Sequence, residues 1–160
     1  MAVLLIVLIV LACLITGLVL IALWIRQLRK DAIAAVRRNT EGEEVYMVED
    51  CNFFGQQSSG YKQVRGNGVL ALTDRGIYFG MLIPGKELFV PLDSIKGTSQ
   101  PRSFLGKTKM RDLLRVDFVN AEGRDDAGAW LVPSLQWWSE AVEALRRGKE
   151  PSPPSWKHRT

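Results

Sequence analysis

The sequence predicts a mostly-β domain, tethered by one N-terminal transmembrane helix and closed by a C-terminal helix. Three observations predict it. Residues 2 to 25 carry no charged side chain, and seventeen of those twenty-four are Leu, Ile or Val. From about residue 44 the chain breaks into short β-type runs separated by turn residues. At 134 to 147 it returns to helical spacing, with two adjacent tryptophans near the start.

The anchor comes first. At about 1.5 Å per residue its helix spans about 36 Å, against a hydrocarbon core of about 30 Å. Each central Leu, Ile or Val favours insertion by roughly 0.3 to 0.6 kcal/mol, so the sum is several kcal/mol. A cleaved signal peptide fits less well, because no basic segment precedes the run and the run exceeds a signal's apolar core. Leu11-Ala12-Cys13 resembles a lipoprotein cleavage site, yet twelve residues without charge follow Cys13. Residues 1–25 are therefore read as an uncleaved, single-pass span. Arg26, Arg29, Lys30, Arg37 and Arg38 follow it, whereas nothing basic precedes it except the amino terminus. The bias of basic residues toward the cytoplasm then puts the N-terminus outside and residues 26–160 inside, at the cell (inner or plasma) membrane. Trp24, Arg26, Arg29 and Lys30 are the expected interface residues. Cys13 falls in the span and Cys51 stands alone beyond it, so no disulfide framework is available within the chain.

Residues 26–42 read as a basic juxtamembrane helical stalk. Leu28, Ala32, Ala35 and Val36 recur at helical spacing, and Asn39 then Gly42 supply the stop. A segment lying on anionic lipid is the competing reading, but its apolar side is thin and Ala-rich. The net charge of +4 conceals an alternation, with five acidic residues at 41–50 and a basic interval at 101–112. A nucleic-acid binder concentrates its positive charge on one face with aromatic support, and this pattern excludes that class.

The β domain is expected over 43–148. GVLALT (68 to 73), IYFGML (77 to 82), ELFVPL (87 to 92), LLRVDFV (113 to 119) and AWLV (129 to 132) are β-type runs, with weaker ones at NFFGQQ (52 to 57) and SIKGTSQ (94 to 100). TDRG, IPGK and AEGRDD supply turn chemistry between successive pairs. Six to seven short strands at such spacing imply an antiparallel β-barrel or sandwich. In the last helix, 134–147, Ser134 is the expected N-cap after Pro133, and Leu135, Trp138, Ala141, Val142 and Leu145 form one apolar stripe. One stripe on one terminal helix needs one surface, and the end of a bent barrel provides it. Trp138 would plug that end, with Trp137 on the rim as a candidate partner contact. The tail 149–160 is Pro- and Ser-rich and reads as disordered.

A strand-rich domain closed by one helix with an inward tryptophan resembles the pleckstrin-homology-like superfamily. GVLALTDRGIYFG (68 to 80), VPLDSIKG (90 to 97) and WSEAVEAL (138 to 145) resemble segments of its GRAM-type and bacterial members. The likeness covers residues 45 to 147. It implies a binding module that docks lipids or protein segments. The phosphoinositide-binding members carry a richer basic pattern between the first two strands, where SSGYKQVRGNG offers Lys62 and Arg65.

The candidate contact surface is the loop SFLGKTKMRD, within 101–112, where Phe104, Leu105 and Met110 alternate with basic residues. Arg102, Phe104, Lys107, Lys109 and Arg111 are the residues expected to meet anionic lipid or an acidic-rimmed partner. The competing reading folds Phe104 and Leu105 back over the barrel. Lipid contact requires the loop to face the plane where the helix leaves the membrane. Catalysis is not expected. The one histidine, His158, lies in the tail, Cys51 has no activating partner, and no metal or cofactor motif is present. Small residues at Ala12, Cys13, Thr16 and Gly17 allow homo-oligomeric association, although chance placement explains them as well. The functional expectation is a membrane-tethered, non-enzymatic adaptor for a protein partner, with anionic lipid contact as the alternative.

Overall fold

The computed structural model describes residues 1–83 and 85–154. Helix α1 runs unbroken from Ala2 to Asn39. Its apolar part has a mean hydropathy of 3.4 over eighteen residues, none of them buried. It is long and apolar enough to cross a membrane, as a membrane anchor or a signal sequence would be. The helix stops at Asn39; Thr40 caps it through its backbone and side chain, both donating to the Val36 carbonyl, and Gly42 turns the chain with φ +83°.

Among the described residues nine strands follow: β1 (Val45–Gln56), β2 (Gly66–Thr73), β3 (Gly76–Met81), β4 (Glu87–Pro91), β5 (Ile95–Ser99), β6 (Ser103–Phe104), β7 (Lys107–Thr108), β8 (Leu114–Val119) and β9 (Asp125–Leu131). Helix α2 (Leu135–Arg146) ends the domain. Seven strands form one antiparallel sheet in the order β4-β3-β2-β1-β9-β8-β5, and β6 and β7 form a separate hairpin. β1 serves both halves, pairing β2 along most of its length and β9 near its end. The register shifts at Phe53/Gly55, where Gly55 adopts φ +141°, a conformation that side chains rarely take.

The sheet corrects the expectation of a closed barrel. β4 and β5 follow one another in sequence but stand at opposite edges, because β5 pairs with β8 instead. Between them a groove remains, lined by Leu88, Phe89 and Pro91 on one side and Phe118 and Val119 on the other. The sheet nevertheless curls around one core, with Phe53, Leu70, Leu72, Phe79, Val116, Trp130 and Trp138 in a single buried cluster. Phe53, Phe79 and Trp130 form its aromatic centre, with ring centroids 4.8 to 6.0 Å apart.

The outer face of the bent sheet is partly covered in two places. α1 lays Val36 on Val69, Ala71 and Tyr78, with Ala32 and Ile33 beside them. The β6–β7 hairpin lays Phe104 on Phe54, Leu113, Ala127 and Ala129. The last turns of the segment 26–42 pack on β2 and β3. Val36 is 1% exposed, so it is a core residue of the domain.

Candidate functional site

The packing of α1 decides what the end of its apolar run faces. Asn39 Nδ2 donates to Tyr78 Oη at the far end of the docked segment. Burial, with the charge of Glu87 adding to it, pushes the Tyr78 phenol up to about 12. Nearer the apolar run, Arg29 pairs with Asp50 at 2.6 Å in the open. Ile25 and Arg29 then border a cleft of about 350 Å³, together with Gly68, Leu82, Arg111 and Pro133. The ends of β3 and β9 and the residues after β7 thus lie level with Ile25. Trp24, Arg26 and Lys30 stay exposed around the helix at this level.

The hairpin divides the residues predicted in 101–112. Phe104 is corrected: it is 5% exposed and packs on Phe54 and Leu113, so it is not available to lipid or partner. Burial there removes a large apolar ring from water, which a tip position could not do. Lys107 is also turned inward, its Nζ donating to the carbonyls of Gln63 (2.6 Å) and Phe54 (3.3 Å). Desolvation and the nearby Arg65 hold its ammonium below the usual lysine range. Arg102 pairs with Asp112. Lys109 and Arg111 remain exposed. Met110 between them is 90% exposed and holds the left-handed φ of 55°, with its N–H donating to Thr108 Oγ1. Such a backbone is unusual for a non-glycine residue and aims an apolar side chain into solvent.

Sequence reasoning missed what the fold brings beside Met110. Lys107 ties the hairpin to the loop preceding β2, and Arg65 does so again by donating to the Thr108 carbonyl at 3.4 Å. The Arg65 guanidinium also lies 4.4 Å over the Phe54 ring. That loop exposes Tyr61 (74%) and Val64 (68%), while Ile83, exposed by 52%, follows β3 and sits against Gly66. Four separated residues, Tyr61, Val64, Ile83 and Met110, therefore tip neighbouring loops. Lys62, Lys109 and Arg111 are exposed among them. The local signal in the sequence was apolar side chains in turn segments that have no strand to fill.

Elsewhere, two titratable groups are held by the fold itself. Asp126, 4% exposed, accepts from Ser58 Oγ and Gln56 Nε2, both at 2.6 Å, and from the backbone of Ser58 and Ala127. Burial opposes its charge, but those four donors outweigh burial and keep the carboxyl below its ordinary range. Cys51 is buried, and desolvation with the charges of Asp50 and Glu49 pushes its thiol well up. Among the described residues, no three His, Cys, Asp or Glu side chains converge as a metal would need.

At α2, Trp138 is fully buried in the core and its Nε1 donates to Glu49 at 2.8 Å. Ser134 occupies the cap position but makes no cap bond of its own, donating its hydroxyl to Glu49 at 2.6 Å instead. Glu49 on β1 thus supplies the acceptor and the negative charge that the helix N-terminus needs. Trp137 is half-buried and meets the Trp138 ring edge-on at 5.8 Å. α2 lies beside the outer edge of β5: Thr98 N–H donates to Glu143 on that helix, and Arg146 Nε donates to the Ile95 carbonyl. These two bonds, at Thr98 and Ile95, tie α2 to the edge of β5.

No family model matches the chain, and no curated protein matches it. Among solved structures it is similar to the crystal structure of the C-terminal domain of an unknown protein from Leishmania infantum, with a TM-score of 0.53 and 12% identity. The likeness covers 74% of this chain and 97% of that one. At that identity it shows a shared fold.

Proposed function

We propose that the chain is a membrane-tethered, non-enzymatic binding module of the pleckstrin-homology-like kind, whose β domain meets anionic lipid through the loops tipped by Val64, Ile83 and Met110. The packing of α1 on β2 and β3 carries this reading. A free stalk would let the domain tumble, whereas a docked helix holds it in one orientation, and Arg111 and Leu82 share a cleft with Ile25 at the end of the apolar run. The unbroken passage from apolar helix to docked helix supports an anchor, because α1 completes the domain's own packing. Lys62, Lys109 and Arg111 would each gain about 1 kcal/mol beside an anionic surface. With the anchor in place, even so small a sum is amplified by effective concentration. The high thiol pKa of Cys51 and the engaged state of Asp126 support a role without catalysis.

The test uses the full chain in nanodiscs with an environment-sensitive fluorophore at Met110→Cys, on a background with Cys13 and Cys51 replaced by serine and alanine. With about a third anionic lipid, the emission shifts blue, and the shift fades as salt rises, since screening lengths fall from about 10 Å at 0.1 M to about 3 Å at 1 M. Lys109→Glu/Arg111→Glu abolishes the shift. Equal emission in neutral and anionic discs sinks the lipid reading and returns the module to the adaptor class.

A further inference from the structure

The tail left one signal that the membrane reading does not use. Gly148, at φ +68°, reverses the chain after α2, with Lys149 N–H donating to the Ala144 carbonyl. Residues 149–154 then run back beside the helix without regular structure. Over 149–154 the structure shows packing where disorder was expected: Pro151 and Pro154 are buried, and Trp137 Nε1 donates to the Ser152 carbonyl at 2.8 Å; the rest of the predicted tail, 155–160, lies outside the described residues. Ser152 borders Glu140 and Ala144, and Pro154 borders Gln100, Pro133 and Leu135.

This is the chemistry by which aromatic grooves hold proline-rich segments. Proline fixes φ and lacks an N–H, so such a segment offers preformed apolar ridges and free carbonyl acceptors. Indole is a donor only, and it matches a carbonyl. Trp137 is also braced edge-on by the buried Trp138, so little freedom is lost when a ligand arrives. The adjacent tryptophans thus divide two tasks: one ring fills the core and the other presents its N–H at the surface.

We propose that the Trp137 face is a recognition site for an extended proline-rich segment of a partner protein, and that the chain's own Pro151–Pro154 occupies it in cis as a competitor. The contact is small, one hydrogen bond and two proline rings, so the cis occupant is displaceable. A partner with more prolines in register replaces it once its effective concentration at the membrane reaches the millimolar range that short tethers provide.

The experiment uses the full chain in neutral-lipid nanodiscs, where anionic lipid plays no part, with 15N-labelled tryptophan. The chain has five tryptophans, and Trp137→Phe assigns the indole signal in question. Pro151→Ala/Pro154→Ala loosens the tail and shifts that signal, while the signals of Trp130 and Trp138 stay in place. The capped peptide KEPSPP then restores the original position saturably, and KEASAA does not. The unmodified chain needs several-fold more KEPSPP for the same occupancy, and Trp137→Phe, which keeps a ring but no donor, binds fluorescein-labelled KEPSPP about two- to tenfold more weakly by fluorescence polarisation. A Trp137 signal indifferent to the double substitution, or to millimolar KEPSPP, overturns the proposal and leaves the tail as plain packing.

Discussion

Val36→Asp separates a docked helix from a free stalk. Val36 is 1% exposed and fits among Val69, Ala71 and Tyr78. Removing it forfeits about 1.5 to 3 kcal/mol of burial, and a carboxylate held there unpaired costs several more. What else fastens the helix is weaker: Ala32 and Ile33, half-buried beside Val36, together contribute about 1 to 2 kcal/mol. The Arg29–Asp50 pair is exposed by 57% and 54%, which puts it at about 0 to 1 kcal/mol. The Asn39–Tyr78 hydrogen bond adds about 1 kcal/mol. The penalty exceeds the remainder, so α1 leaves the sheet. Two readouts follow. Spin labels at Lys30→Cys and Asp74→Cys give one narrow distance in the parent chain and a broad distribution in the variant. Tyr78 offers the second, because its phenol is held up to about 12 chiefly by burial and relaxes toward 10.0 once uncovered. At pH 11 it is mostly neutral in the parent and mostly ionised in the variant. Val36→Ala, losing about 1.6 kcal/mol at about 0.8 per carbon, falls between. A narrow distance and a neutral Tyr78 in Val36→Asp would refute the docking argument.

Three further outcomes follow from the packing. Glu49→Ala leaves the buried Trp138 N–H without its acceptor and strips the charge from the α2 N-terminus, so urea unfolding shows a loss of about 2 to 4 kcal/mol, with Glu49→Gln losing less. Asp126 has a folded pKa below its unfolded value of 3.8, so its stabilisation is complete above that pH and is lost as pH falls through the folded value. The gap in urea midpoint between the parent chain and Asp126→Asn therefore narrows as pH drops from 6 to about 3, and a constant gap would contradict the assignment. Gly68→Ala would place its Cβ 2.4 Å from the Phe79 ring and 2.5 Å from the Gly80 carbonyl, so it destabilises by about 1 to 3 kcal/mol in the same assay.

The local elements were legible because they depend on nearest neighbours. The stop at Asn39, the strands around GVLALT, IYFGM and LRVDFV, and the stripe Trp138-Ala141-Val142 all follow from periodicity and turn residues. β8 even alternates buried and half-buried as a one-sided strand should. The lost information was tertiary. β2 is buried from Gly68 to Thr73 without alternation, because Leu70 and Leu72 face the core while Val69 and Ala71 face α1. A continuous apolar run of that sort marks a strand covered on both faces, but it does not say by what. The pairing of β5 with β8 rather than β4, which opens the barrel, has no local signature. Nor does Phe104 announce whether it caps a loop or roofs a sheet. Its partners Phe54 and Ala127 are about fifty and twenty residues away, and they meet through the β1–β9 pairing, whose register shifts at Phe53/Gly55.

The account rests on α1 holding the β domain with one end toward the bilayer. Single nitroxides at Val64, Ile83 and Met110, and at Asp74 in the turn beside Glu44, test it in nanodiscs through relaxation by lipid-soluble oxygen against a water-soluble nickel chelate. The account predicts that labels at 64, 83 and 110 meet oxygen at the interface, while the label at 74, lying by the far end of a helical segment about 21 Å long, meets the chelate alone. Equal chelate access at all four positions would contradict it.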